Sequence, residues 1–297
     1  MPLTLTPLVP PAGGPLTIDL DGIVPDRVRH LDLLAIARLA ISADGRPCPL
    51  GDLFTVAGRA TDGRIECHGD FSRVQRIGSG MGAGRIDVSG SVGRHAAAAM
   101  TGGTLTIGGH AGDWLAAEMT GGEVHVAGDT GDHAAAALPG SDRGMRGGMV
   151  LIGGAAGCLA GARMRRGILA IAGDCGPAAA FEMRAGTVLV GGRVGSRPAL
   201  GMRRGSLIAL AAAPDLPPGF TRGARWMPPF LPLLLRRLER AGWHAERSLQ
   251  ERRPRGPLQQ WHGDRLSGTS GSGTSGSGAQ GSGGRGEVWT VAHPGHG

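Results

Sequence analysis

Between residues 81 and 210 apolar and polar positions alternate in short runs, and the same run returns seven times. Its inward pairs include Ile86/Val88, Leu105/Ile107, Val124/Val126, Val150/Ile152 and Val188/Val190. Each run follows a glycine (Gly84, Gly103, Gly122, Gly148, Gly167, Gly186, Gly205) that stands three positions after a methionine. Met81, Met100 and Met119 are 19 residues apart, and after one seven-residue insertion at 138–144 so are Met145, Met164, Met183 and Met202. One short strand with glycine corners per ~20 residues is the pattern of a solenoid, because a unit this small buries its apolar face only by stacking on its neighbours. The predicted class is all-β: a right-handed parallel β-helix of about seven or eight rungs on a 19-residue repeat, with short helical N- and C-terminal segments.

The flanks read differently. Leu3-Thr-Leu5 alternates as a strand does, and Pro25-Asp26 opens a predicted helix with Leu31, Leu34, Ala35 and Leu39 on one face. Gly63 to Gly69 repeats the rung pattern and predicts an entry rung, leaving the N-terminal helix as the expected cap on the solenoid's end. After Leu210 the rhythm stops. Residues 228–242 predict a helix entered through prolines and closed by Gly242, 267–284 form a Gly/Ser-rich tract expected to be a flexible linker, and Glu287-Val-Trp289 resumes a strand. The expected organisation is an N-terminal strand/helix cap over 1–60, the β-helix over 61–212, and a C-terminal helix, linker and final strand over 213–297.

Strand residues alternate in and out, so the outward set follows from the inward one. It is polar in the first three rungs (Arg85/Asp87, Thr104/Thr106, Glu123/His125) and largely apolar in the last four. Met149, Leu151, Ile168, Leu189 and Ile208 then form a strip that is either a subunit interface or the seat of the chain's own C-terminal segment. A second column follows each Met: Gly82, Thr101 and Thr120, then Arg146, Arg165, Arg184 and Arg203, with Arg166 and Arg204 beside two of them. Rungs ~4.8 Å apart bring these like charges close enough to repel by roughly 1 kcal/mol per pair in water. The row therefore attracts anions, or its side chains fan into solvent; Glu182 is the counter-charge nearest in sequence.

Composition narrows the chemistry. The net charge of +7 is carried by arginine alone, with no Lys, Asn or Tyr among 297 residues, a joint absence of A/T-rich codons that points to a GC-rich genome. So few aromatic residues argue against a nucleic-acid platform, which needs rings for base stacking. Cys48, Cys67, Cys158 and Cys175 lack metal or redox spacing and read as buried thiols. The methionine column reads as core packing, and His95, His110, His125 and His133, near turns or on outward strand positions, do not fall in one column with acids at ligand spacing, so no metal site is expected. Asp129, Asp132, His133 and Asp142 gather around the insertion without a nucleophile and base to pair, and no catalytic residue is assigned. With no ~18-residue apolar run and no signal segment, the expected setting is cytoplasmic, away from membranes.

The Pro-Leu-Gly-Asp-Leu-Phe54 lead-in, the M-x-x-G-x-V-x-V-x-G rungs, the GSDRGMRGG stretch at 140–148 and the closing GEVW resemble the C subunit of formylmethanofuran dehydrogenase. The rungs alone are also similar to the C-terminal domain of the large glutamate synthase subunit, and the Gly/Ser tract interrupts the family's ending. The resemblance implies a non-catalytic scaffold in a one-carbon complex. In methylotrophic bacteria that complex passes a formyl group from tetrahydromethanopterin to a methanofuran analogue and hydrolyses it to formate; in methanogens a tungsten or molybdenum enzyme reduces carbon dioxide onto methanofuran. The GC-rich composition favours the bacterial setting. Partners would be the hydrolase and formyltransferase subunits, zinc or molybdenum/tungsten would sit in other subunits, and this chain alone would bind no cofactor. The analogue's polyglutamate tail, or an acidic patch of a sister subunit, would meet Arg146, Arg165, Arg166, Arg184, Arg203 and Arg204. An independent enzyme built on the loop around Asp142 is the competing expectation.

Overall fold

The computed structural model describes residues 2–8, 17–243, 256–263 and 286–291. In chain order its elements are β1 (Leu3–Pro7), β2 (Ile18–Asp19), α1 (Pro25–Val28), α2 (Leu33–Ala37), β3 (Ala40–Ala43), β4 (Arg46–Pro49), α3 (Leu50–Leu53), β5 (Phe54–Ala57), β6 (Arg64–Cys67) and β7 (Val74–Gln75). The repeats supply β8 (Arg85–Val88), β9 (Thr104–Ile107), β10 (Glu123–Val126), β11 (Met149–Ile152), β12 (Ile168–Ile171), β13 (Thr187–Val190) and β14 (Ser206–Ala209). β15 (Phe220–Trp226), α4 (Phe230–Arg240), β16 (Leu258–Gly263) and β17 (Glu287–Val291) follow.

Strands β6 and β8 to β14 pair in parallel and in sequence order, each residue directly above its equivalent, as Val124 is above Leu105 and below Val150. A second parallel ladder of single bridges climbs beside them: Phe71, Val92, Ala111, Thr130, Ala156, Cys175, Val194. The inward side chains of both ladders form one continuous buried core, which is what the alternation in sequence demands. The 13-stranded sheet does not stop at the repeats. β1 joins in parallel below β6, and β17 joins in parallel above β14, with Glu287 over Ser206 and Val288 over Leu207. Antiparallel strands then close both ends, β5 on β1 at one and β16 and β15 on β17 at the other.

The methionine register has a contact behind it. The glycine three positions after each Met in the repeats has φ between +80° and +106°, a region that an L side chain enters only with strain. At Gly122 a Cβ would lie 2.7 Å from Cε of Met100, one coil below. The same interlock joins Met119 to Gly148, Met145 to Gly167 and Met183 to Gly205, and it ends with Met202 against Gly286. Gly286-Glu-Val-Trp289 is therefore one more copy of the rung, delivered from the far side of the C-terminal segment.

Two expectations are corrected. The ladder's first end is taken by β1 and β5, not by a helix; α1 leans on the flank, with Pro25 against Gly84. The predicted N-terminal helix is also broken in two. Asp32 accepts a hydrogen bond from the Ala35 amide at 2.7 Å and starts a fresh turn, so the apolar phase is lost: Leu34 is 70% exposed and Ile36 is buried.

The apolar strip is covered by the chain itself. Met149, Leu151, Leu189 and Ile208 are buried, with Ile168 packed at their margin, against Leu231 and Leu238 of α4, Trp243, Leu258 and Trp289. The Trp243 indole also donates to the Ile152 carbonyl at 3.3 Å. The reading of these five residues as a subunit interface is thus corrected: the hydrophobic gain, roughly 1.5–3 kcal/mol per large side chain, is already made by the C-terminal segment. The tract at 267–284 lies outside the described residues. No helix among the described residues is long and apolar enough to cross a membrane.

Candidate functional site: the arginine ladder and its loop

Backbone pairing builds the ladder. The amides of Arg146, Arg165, Arg184 and Arg203 donate to the carbonyls of Met119, Met145, Met164 and Met183, at 2.7 to 2.8 Å, so each arginine leaves the wall at the same place one coil above the last. The structure brings the four into the predicted column. Arg165 and Arg184 are half-buried, whereas Arg146 and Arg203 are exposed and have no ion-pair partner among the described residues. Arg166 and Arg204 are exposed at the neighbouring position.

The insertion at 138–144 bends over this column. It leaves after Ala137, whose amide donates to the Ala162 carbonyl, and returns at Gly144, whose amide donates to the Arg163 carbonyl at 2.9 Å. The Leu138 amide is held by the Glu118 carboxylate at 3.2 Å, and the Ser141 carbonyl accepts from Arg163 at 2.8 Å. Between these anchors Asp142 points at the ladder. Its Oδ2 lies 2.9 Å from Nη2 of Arg165 and 3.8 Å from Nη2 of Arg184, and its Oδ1 lies 3.4 Å from Nε of Arg143. One carboxylate thus serves three guanidinium groups. Nε of Arg165 is buried and makes no hydrogen bond, so that side chain uses only part of its fork. Beside it opens a pocket of about 760 Å³ whose charged lining is Glu118, Asp142, Arg143 and Arg146.

Glu182 does not serve the ladder as its place in sequence suggested; it pairs with Arg163 at 2.8 Å. Asp129 and Asp132 are also absorbed structurally, their carboxylates accepting the Ala155 and Cys158 amides of the next coil at 2.7 Å. Among the described residues no three His, Cys, Asp or Glu side chains converge as metal ligands would. Burial pushes the thiols of Cys67 and Cys175 up to about 12, which keeps both protonated and unreactive.

Sequence reading missed a second column. His95, Trp114 and His133 occupy equivalent corners in the left-handed region, and their rings stack, with centroids 6.2 Å and 4.0 Å apart and planes 11° from parallel in each pair. The 19-residue spacing was there to be read, but a Trp between two histidines does not look like a repeat of one residue type.

No protein-family model matches the chain. Part of it is similar to the C subunit of molybdenum-containing formylmethanofuran dehydrogenase 1, at 39% identity over 87 residues in Methanothermobacter marburgensis and 32% over 92 residues in Methanosarcina barkeri. These stretches cover 29% and 30% of this chain but only 22% and 31% of those proteins, so the chain spans less than a third of the curated relatives it matches. A chain of the formyltransferase/hydrolase complex of Methylorubrum extorquens, crystallised in complex with methylofuran, is similar end to end. It is 31% identical with a TM-score of 0.81, over 98% of this chain and 100% of that one.

Proposed function

This chain belongs to the family of formylmethanofuran dehydrogenase C subunits, and from that membership we propose that it is a non-catalytic structural subunit of a formyltransferase/hydrolase complex. In this reading the stacked repeats are a right-handed parallel β-helix over 61–212, carried between the cap of 1–60 and the C-terminal segment of 213–297. Sister subunits transfer the formyl group between tetrahydromethanopterin and a methanofuran analogue and release it as formate. The observation that carries the proposal is the end-to-end likeness to a chain of the Methylorubrum complex.

The arginine ladder is the surface we assign to partners. Arg146, Arg165, Arg184 and Arg203, with Arg166 and Arg204, would bind carboxylates of the analogue's polyglutamate tail or of a sister subunit, since guanidinium groups suit planar anions. The test is co-expression with formyltransferase and hydrolase subunits of such a complex. Replacing Arg165 and Arg184 together by Glu should cut co-purification, or raise KM for the cofactor about tenfold or more. Full assembly with an unaltered KM would remove the ladder from the mechanism, and failure of the native chain to enter any such complex would remove the scaffold reading.

A second reading, the C subunit of a molybdenum or tungsten formylmethanofuran dehydrogenase, is favoured by the names of the curated relatives. Metal analysis of the purified assembly separates the two.

A further inference from the structure

The seven residues at 138–144 interrupt an otherwise regular wall, and their one acidic side chain is aimed at the ladder. Asp142 is exposed, with 59% of its side chain open to solvent. Its ion pairs are all with arginine: Arg165 at 2.9 Å, Arg143 at 3.4 Å and Arg184 at 3.8 Å. No backbone amide among the described residues anchors that carboxylate. The ends of the loop, in contrast, are pinned by Glu118, Arg163 and backbone bonds. A carboxylate presented this way, end-on to one guanidinium whose Nε is left unbonded, is a weak and exchangeable partner.

We propose that Asp142 is a built-in stand-in for a ligand carboxylate, and that a flexible oligocarboxylate binds the ladder by displacing it. The proposal rests on the reading of the ladder as a carboxylate site. Displacement exchanges one exposed carboxylate, shared among Arg165, Arg184 and Arg143, for several, because the column from Arg146 to Arg203 spans ~14 Å at one coil per step and meets successive carboxylates of a single chain. The loop then acts as a latch with a set threshold: a lone carboxylate gains little over Asp142, whereas a multivalent chain reaches Arg146 and Arg203 as well.

The Asp142→Asn variant of the full chain tests this by titration calorimetry at low salt, with hexaglutamate linked through either its γ- or its α-carboxyl groups as probe. Removing the internal competitor should tighten binding about threefold, the scale of one exposed pair, while Arg165→Gln with Arg184→Gln weakens it. A loss conferred merely by structural damage has the opposite sign, and an unchanged melting temperature confirms that the variant is folded. If Asp142→Asn disturbs folding, Asp142→Ser repeats the measurement. Tightening confined to the γ-linked probe identifies a small-molecule tail, and tightening with the α-linked probe identifies an acidic protein segment. Native chain that binds a probe no more weakly than the variant overturns the displacement alone. Native chain and variant that bind neither probe overturn the carboxylate reading of the ladder together with it.

Discussion

At the scale of single residues the fold depends on a methionine methyl group meeting a glycine. Met100 under Gly122 is the pattern, repeated to Met202 under Gly286. Replacing Gly122 by Val adds a branched side chain at φ +91°, where strain alone costs of order 1–3 kcal/mol, and drives it into the methyl below; a denaturation midpoint that does not move would show that the interlock is dispensable. The register of the two residues was legible because every coil presents the same environment and so selects the same pair, but the contact between them across coils was not. The ring stack was not, since its members differ in kind. His95 has its pKa lowered by burial first and then by Arg76 and Arg94, against smaller upward pulls from Asp19 and Asp113. The folded state thus holds fewer protons than the unfolded chain as pH falls past the ordinary value of 6.5. The stability that neutral His95 contributes is present above that pH and is lost through the more acid range where the folded imidazole titrates. An NMR titration should place His95 below 6.5, and a midpoint at or above that value contradicts the stacked, partly desolvated ring.

At the scale of elements, the C-terminal segment decides the character of the upper coils. Strands β8 to β10 have one polar face, whereas β11 to β14 are buried on nearly every residue because α4, β16 and β17 cover them. Leu238→Asp places a charge in that seam and should cost about 3–5 kcal/mol, with dye binding to newly exposed apolar surface; native stability in that variant would mean that the helix is only loosely seated. The strip itself was plain in the sequence, but what covers it was not. The covering residues lie far along the chain, and amphipathic spacing says that a helix has a greasy side without saying where that side goes. The N-terminal helix failed for a more local reason. Asp32 caps a new turn, and the change of phase turns Leu34 outward. In the ladder the four columned arginines were legible from the ruler, whereas Asp142 reaches them through a loop whose path no periodicity describes.

At the scale of the whole molecule, parallel stacking is bounded by antiparallel strands, with β5 and β15 as the outermost strands of the sheet. Open parallel ends invite further strands, and here each is turned back by a strand of opposite direction. Excising residues 101–119 removes one coil while Met81 comes to face Gly122, so the shortened chain should fold with a cooperative transition and a profile ~4.8 Å shorter by small-angle scattering. Loss of cooperative folding would show that the coils are not interchangeable. If they are, the distance between the two closing antiparallel pairs is graduated: evolution can lengthen or shorten this body only by whole steps, like a stack of gauge blocks. Anything that must touch both ends at once then holds the number of coils constant, while the loops on its sides stay free to change.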